Sequence, residues 1–171
     1  MAKLLRLVYV SRACFDLNHE SNSIDRDVSD IIIKARKNNQ SSSIGGVLYF
    51  ANGYFFQCLE GKESSVNQLF ETIKQDLRHT DLKITYCKSI RRRMFASWTM
   101  KYVPVTQEVN DLVSELGYSN FNPTEFSESD VNLVVDLFTR LDDSSLKDDK
   151  MRECYRLEIS WWKNIVQRFA F

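Results

Sequence analysis

The chain has 171 residues, of which 43% are hydrophobic and 27% charged, and its formal net charge at pH 7 is zero. This composition is typical of a soluble globular protein with one well-filled core. No apolar run is long enough to span a membrane, no signal peptide precedes the first strand pattern, and the neutral charge argues against a nucleic-acid partner. We therefore expect a cytoplasmic protein that binds neither membranes nor nucleic acids.

The neutral total conceals a difference between two parts of the chain. Residues 1–104 contain 16 Lys and Arg against 10 Asp and Glu, whereas residues 105–171 contain 7 against 13. Either the acidic part docks on the basic part or each has its own solvated surface, and the pattern favours neither. With Pro104 between them, we predict a domain of residues 1–104 and a helical extension of residues 105–171.

The four cysteines lie far apart in the sequence, at positions 14, 58, 87 and 154, without a CxxC pair. Isolated reduced thiols are expected for such cysteines in a reducing compartment. A zinc site needs closer spacing and more than the two histidines present, so we predict no metal site.

The first domain alternates between strand and helix patterns. The strand patterns are Leu4–Val10, Ile44–Phe50, Gly53–Gly61, Lys83–Ile90 and Phe95–Tyr102. Two segments with helical spacing, each buried on one side, separate them. Their apolar positions are Val28, Ile31, Ile32 and Ala35 in the first, and Val66, Leu69, Phe70, Ile73 and Leu77 in the second. The order βαββαββ predicts a ferredoxin-like α+β fold with two helices on one face of the sheet.

Local signals indicate where the two helices begin and end. The polar segment Asp16–Asp25 is predicted to be a loop before the first helix, which Asn38 and Asn39 end. Ser65 and Gln68 form a candidate capping box for the second helix.

Beyond Pro104 the pattern is helical. A short helix is predicted up to Gly117, and a second one opens at Ser127–Asp130. Asp142–Lys150 is a charged linker, and Met151–Phe169 is a third amphipathic stretch.

Polar side chains interrupt the apolar strands at two positions. On the third strand, Phe55, Gln57 and Leu59 share a face, so the Gln57 amide lies between apolar neighbours and needs hydrogen-bond partners. Tyr9 lies on the strand expected beside it, and Asn39 ends the helix that packs over both. A phenol and two carboxamides, with the Trp98 indole, are able to line a flat heterocycle with polar edges, although periodicity alone does not identify one.

No conventional catalytic signature is present, so we predict that the chain is not an enzyme. His19 and His79 lack a nucleophile partner and are interpreted as surface or helix-end histidines. Gly45-Gly46 has neither the spacing of a phosphate-binding loop nor a following helix. The arginines at positions 91–93 are either a phosphate contact or a solvated turn.

As a set, these residues resemble the BLUF family of blue-light sensors using FAD, and in particular its short, stand-alone members. The matching stretches are Arg6–Arg12, Asn38-Asn39 with Ile44–Tyr49, Phe55–Gly61, Asp76–His79 and Trp98–Tyr102. One departure is the turn Ser43–Gly46, where many members have Gly-Ile-Thr-Gly.

The resemblance implies a role for each matching residue. Tyr9 is the electron and proton donor to excited flavin, Gln57 is the amide between Tyr9 and the flavin, and Asn39 binds the polar edge of the ring. Ile32 is a candidate for packing on the ring. Trp98 and Met100 are expected to share a strand face with Tyr102 and to relay the signal. The expected cofactor is FAD, with FMN as an alternative.

The predicted function is a light-driven change in hydrogen bonding at Gln57 that is transmitted through the last strand to the C-terminal helices. Output then requires a separate protein partner or self-association. Met151–Phe169, with Trp161 and Trp162, is either the contact surface or a helix folded onto the open face of the sheet. The main alternative is a flavin-free ferredoxin-like interaction module, and an acylphosphatase-like hydrolase is disfavoured because no phosphate loop is evident.

Overall fold

The fold is taken from a computed structural model, which describes residues 3–14 and 21–142. It contains five strands: β1 (Leu4–Ala13), β2 (Gly45–Ala51), β3 (Tyr54–Lys62), β4 (His79–Ile90) and β5 (Lys101–Val103). The four helices are α1 (Ser21–Ser41), α2 (Glu63–Ile73), α3 (Gln107–Glu115) and α4 (Glu128–Arg140). The predicted stretch Met151–Phe169 and all of the linker before it except Asp142 lie outside the described residues.

The strands form one sheet in the order β4-β1-β3-β2-β5. Strands β1 to β4 pair antiparallel, as expected for a ferredoxin-like α+β fold, and β5 adds to the edge of β2 in parallel. The predicted fold class is confirmed. The tight turn at Asn52 and Gly53, both with positive φ, connects β2 to β3 as a hairpin.

The two faces of the sheet carry separate hydrophobic cores because side chains alternate along each strand. The first core lies under α1 and α2 and contains Leu5, Leu7, Ile32, Leu48, Phe55, Leu59, Val66 and Phe70. The second lies under α3 and α4 and contains Val8, Val10, Tyr49, Phe56, Cys58, Val113, Val134 and Phe138. Within the described range, α3 and α4 therefore cover the face that α1 and α2 leave open.

Several predicted boundaries are wrong. The backbone of α1 begins at Ser21, inside the predicted loop, and the helix continues through Asn38 and Asn39 to Ser41. Helix α2 begins directly after β3, so its N-cap is Lys62 and the predicted capping box does not form. It ends at Ile73, which leaves Leu77 90% exposed.

Strand β5 is much shorter than the pattern Phe95–Tyr102 suggested. It begins at Lys101, so Trp98 and Met100 lie in the irregular segment before it. By contrast, the predicted start of α4 at Ser127–Asp130 is confirmed, and a capping box forms there: Ser127 and Asp130 each accept the other's backbone N–H. No helix in residues 3–14 and 21–142 is long and apolar enough to cross a membrane.

Candidate functional site

Tyr9 and Gln57 meet at the centre of the sheet. They are directly paired across β1 and β3, and both side chains point toward α1 and α2. Each is almost fully buried, with 1% and 3% of its surface exposed. The Tyr9 hydroxyl donates a hydrogen bond to Gln57 Oε1, and burial raises the pKa of this phenol far above its ordinary value. Tyr9 is therefore a neutral donor at any physiological pH.

The other end of the Gln57 amide faces Met100. Gln57 Nε2 lies 3.5 Å from Met100 Sδ, and a thioether is a weak acceptor. Met100 is itself buried in the core beneath α1 and α2. The amide thus connects the phenol on β1 to the segment that leads into β5.

Asn39 holds the same segment from the last turns of α1. Its Nδ2 donates to the Thr99 carbonyl at 2.7 Å, and Arg36 Nε donates to the Met100 carbonyl at 2.9 Å. Asn39 Oδ1 is buried and has no hydrogen-bond partner among the residues that the structure describes. An unpaired buried amide oxygen costs free energy, so this atom is suited to accept from a bound ligand.

Gln57, Tyr9 and Asn39 line a cleft between α1 and α2 with an empty volume of about 680 Å³, its open mouth included. Apolar walls come from Ile31, Ala35, Leu69 and Ile73, and polar groups from Lys34, Asn38, Thr72, Asp76, Arg78 and His79. An apolar slot with a few convergent polar groups is typical of a cofactor site.

Ile32 occupies a different place from the one predicted. It is fully buried in the core beneath α1 and is not one of the residues lining the cleft. Its neighbour Ile31 lines the cleft instead, because adjacent residues on a helix point about 100° apart.

Three cleft residues were missed as site residues by the sequence analysis. Asp76 and Arg78 form an ion pair across the turn after α2, and the hydrogen bond from Arg78 lowers the pKa of Asp76 to about 2. The sequence predicts a surface or helix-end position for His79, but this residue begins β4, is half-buried and shares a hydrogen bond of 2.9 Å with Ser11 Oγ. Burial lowers its pKa to about 4, so the ring is neutral near pH 7. All three lie in the stretch Asp76–His79, whose resemblance to the BLUF family was the available sign that they belong to the site.

Trp98 and Met100 do not share a face, contrary to the prediction. Trp98 packs with the second core, where its ring lies edge-on to Phe95, whereas Met100 and Tyr102 belong to the first core. The regular alternation of a strand does not apply before Lys101, where β5 begins. The structure therefore brings Met100, and not Trp98, to Gln57.

The segment between β4 and β5 is held against the sheet by buried contacts with β3. Glu60, fully buried on β3, pairs with Arg6 through one oxygen at 2.6 Å. Its other oxygen accepts from the backbone N–H groups of Met94 and Phe95, at 2.7 and 3.0 Å. Gly45 permits the close approach, since a Cβ there would lie 2.2 Å from the Phe95 carbonyl oxygen.

The arginines at positions 91–93 are not among the residues lining the cleft between α1 and α2. Arg93 donates to the Ser43 carbonyl at 2.8 Å and borders a neighbouring depression that also reaches Asn39. No group of His, Cys, Asp and Glu suited to a metal ion occurs within the described ranges.

The fold and this cleft define a class of protein. Residues 4–101 match the sequence model of the BLUF family, the sensors of blue-light using FAD. This match covers more than half of the chain, so the chain belongs to the BLUF family of flavin-binding blue-light sensors.

Among characterised relatives, the photoactivated adenylate cyclase subunit beta of Euglena gracilis is 32% identical over 124 residues. The match covers 68% of this chain and 14% of that protein. The blue light- and temperature-regulated antirepressor BluF of Escherichia coli (strain K12) is 28% identical over 103 residues, which cover 58% of this chain and 26% of BluF. The chain thus spans a small part of the length of these relatives.

Among solved structures, the photo-activated and ground states of BlsA match with TM-scores of 0.75 and 0.74 at 32% identity. Both matches cover 82% of this chain, and they cover 97% and 90% of the respective BlsA chains. The resemblance to short, stand-alone members of the family is confirmed.

The residues present fit a flavin. The cleft offers apolar walls for a flat ring, and the unpaired Asn39 Oδ1 offers an acceptor. The Asp76 and Arg78 side chains and Lys34 supply charged groups of both signs along the same cleft.

Proposed function

We propose that this protein is a blue-light sensor in which Tyr9 and Gln57 form the photochemical switch beside FAD. The observation that supports this most strongly is a chain of contacts that runs from the Tyr9 hydroxyl through the Gln57 amide to Met100 Sδ. Tyr9 and Gln57 in this chain line the cleft between α1 and α2. A buried amide with both ends engaged is able to reverse its donor and acceptor ends.

In this proposal the cofactor ring lies between α1 and α2. Asn39 Oδ1 accepts from its polar edge, and Ile31 takes the packing role first assigned to Ile32. Asp76 and Arg78 face the polar part of the cofactor, and Lys34 at the cleft is a candidate counter-charge for phosphate. FAD is preferred to FMN because the family is described by its use of FAD.

When bound, an excited flavin supplies an oxidant strong enough to take one electron from a phenol. Loss of that electron makes the Tyr9 hydroxyl strongly acidic, and its proton passes to Gln57 Oε1, the acceptor of its hydrogen bond. When Tyr9 regains the electron it also regains a proton, so the composition of the site is unchanged. The Gln57 amide is left rotated or tautomerised, and it presents a new pattern of donors and acceptors to the cleft.

The altered amide changes its contact with Met100, and the effect reaches the segment between β4 and β5. Each hydrogen bond exchanged there is worth about 0.5–1.5 kcal/mol, which shifts a two-state equilibrium by about two- to tenfold. Trp98, Met100 and the strand β5 then relay the change toward α3 and α4, which pack on the opposite face of the sheet.

We propose that the output passes to a separate protein partner or to a second copy of the chain, and that this sensor has no catalytic role of its own. The name antirepressor carried by the relative BluF supports action through another protein. Cys14, Cys58 and Cys87 are free thiols, which supports a reducing compartment such as the cytoplasm. The domain boundary near Pro104 remains a prediction.

The test is the absorption spectrum of the purified protein, measured in the dark and under blue light. The proposed sensor binds flavin, shifts its flavin band to the red on illumination, and returns in the dark. Flavin released by heating and separated by chromatography distinguishes FAD from FMN. A colourless protein that cannot be loaded with either flavin would instead support the flavin-free interaction module.

A further inference from the structure

Lys101 is a buried cation that has no role in the proposed photochemistry. It is the first residue of β5, and only 1% of its surface is exposed. Lysine is rarely buried this completely unless its charge has partners, because removing an ammonium group from water is costly. Its surroundings therefore indicate what keeps it in place.

Two contacts of the Lys101 ammonium connect it to neighbouring parts of the fold. It lies 4.6 Å from the centre of the Trp98 ring, a distance suited to a cation–π interaction. It also donates to the Thr139 carbonyl at 3.4 Å, in the last turn of α4.

The Thr139 carbonyl is one of the last four carbonyls of α4, which lack a donor within a helix. A cation at this position also complements the negative end of the helix dipole. Lys101 thus serves as a C-terminal cap for α4, supplied from β5. At the opposite end of the helix, Lys88 on β4 forms an ion pair with Glu128, so α4 crosses the sheet between its two edge strands.

Lys101 directly follows Met100, and the two side chains point to opposite sides of the sheet. Met100 Sδ contacts Gln57 in the first core, whereas Lys101 reaches α4 beside the second core. A displacement that includes the Met100 backbone would therefore also move the residue that caps α4. Lys88, in contrast, pairs with the helix from β4, which β1 separates from β3 and Gln57 in the sheet.

We propose that Lys101 is the positioning residue that couples the Gln57 switch to the C-terminal end of α4. Rearrangement of Gln57 displaces Met100, the ammonium group shifts away from the Thr139 carbonyl, and the last turn of α4 loosens. This inference rests on the proposed light sensing and adds the residue and the helix end through which the signal leaves the sheet.

The test is hydrogen–deuterium exchange of the flavin-loaded full chain, in the dark and under blue light, followed in a peptide covering residues 134–142. In the unaltered protein, illumination is expected to change exchange of the amides at the end of α4 by about two- to tenfold, the shift that one exchanged hydrogen bond produces. Leu141, whose N–H bonds to the Leu137 carbonyl at 3.3 Å, is among the reporting amides. Lys101→Met should retain the flavin red shift but lose this light-dependent difference.

Lys88→Met is the matched control, because it removes a lysine from the opposite end of the same helix. It should keep both the red shift and the light-dependent exchange near Leu141. If Lys101→Met does not fold, Lys101→Gln removes the charge while keeping a polar side chain, and it should also lose the difference.

A lysine variant that binds flavin, shifts its spectrum and still shows the full exchange difference overturns the proposal for Lys101. So does an unaltered protein whose spectrum shifts without any change in residues 134–142. A protein that binds flavin without a red shift refutes the proposed photochemistry instead, so the two failures are distinguishable.

Discussion

The side-chain nitrogen of Gln57 lies 3.5 Å from the sulfur of Met100, while the carbonyl oxygen of the same amide accepts from Tyr9. One buried amide therefore joins the centre of the sheet to the segment before β5. The Met100 backbone is in turn held by Arg36 from α1, and the preceding Thr99 by Asn39. The contacts of this amide and of the residues around it can be tested by substitution.

Tyr9→Phe should bind flavin but lose the red shift, because the phenol is the proposed electron and proton donor. The measurement is the difference between dark and illuminated absorption spectra. Tyr49→Phe is the matched control: Tyr49 is also fully buried, but it lies on the opposite face, and its hydroxyl has no hydrogen-bond partner among the described residues. A normal red shift in Tyr9→Phe would exclude Tyr9 as the donor.

The Tyr49→Phe control carries its own stability prediction. Removing an unpaired buried hydroxyl removes a desolvation penalty, so the free energy of unfolding should rise by about 1 kcal/mol. Denaturant unfolding of the two proteins at equal flavin content would measure this difference.

Gln57→Leu should bind flavin and fail to signal, since leucine cannot exchange donor and acceptor. It also leaves the buried Tyr9 hydroxyl without its acceptor, which should lower stability by about 1–3 kcal/mol. Gln68→Leu on the exposed side of α2 is the control for replacing an amide and should retain the red shift. A red shift of ordinary size in Gln57→Leu would refute the relay.

Met100→Leu should keep the red shift but change the rate of return to the dark state by about two- to threefold, because it removes one weak hydrogen bond, worth about 0.5 kcal/mol, from the Gln57 amide. The side chains are similar in volume, so the loss of stability should stay below about 1.5 kcal/mol. Trp98→Phe should leave the recovery rate unaltered, since Trp98 packs with the other core. The reverse result, a changed rate only in the Trp98 variant, would contradict this arrangement of the two residues.

Stability should fall as the pH falls from about 6.5 to about 4, the interval set by His79. Burial lowers its pKa to about 4 in the folded protein, so in this interval the unfolded chain binds a proton that the folded protein does not. The expected loss is on the order of 2 kcal/mol after allowing for partial exposure, measured by denaturant unfolding at several pH values.

A His79→Gln variant should have a weaker dependence on pH in the same interval. Asp76 affects stability in a separate pH interval. Its pKa is lowered from 3.8 to about 2 in the folded protein, so the stability that it contributes is lost as the pH falls from 3.8 toward about 2. An unchanged slope between pH 4 and 6.5 in His79→Gln would show that other groups produce the effect.

Glu60→Ala should lower the free energy of unfolding by about 3–5 kcal/mol, because it leaves the Arg6 charge without its buried partner. It also releases the backbone N–H groups of Met94 and Phe95. Glu63→Ala is the control, since its ion pair with Lys3 is exposed and worth at most about 1 kcal/mol. Equal losses in the two variants would contradict the supporting role of Glu60.

Much of the fold follows from the sequence alone, because the periods of strands and helices are local properties of the chain. Alternation within β3 placed Phe55, Gln57 and Leu59 on one face, and the order of elements predicted β1 beside β3. From these two facts it follows that Tyr9 and Gln57 lie close together. The family resemblance added the cofactor, which no periodicity identifies.

Other features depended on contacts between distant parts of the chain. The segment before β5 is irregular. Glu60 accepts a hydrogen bond from its Phe95 N–H, and Gly45 permits its close approach to β2, so alternation could not assign Trp98 and Met100 to their opposite faces. The same applies to His79, which is half-buried and contacts Ser11, Tyr9 and Phe55, all far away in the sequence.

Residue patterns thus sufficed to predict the class of fold, the proximity of Tyr9 and Gln57 and the family. The folded chain was needed to show that Ile31 rather than Ile32 lines the cleft, that Met100 contacts the amide, and that Lys101 caps α4. The direction of a side chain outside a regular strand, or at the edge of a helix face, is set by packing and by buried hydrogen bonds. Those forces act between residues that the chain brings together only when it folds.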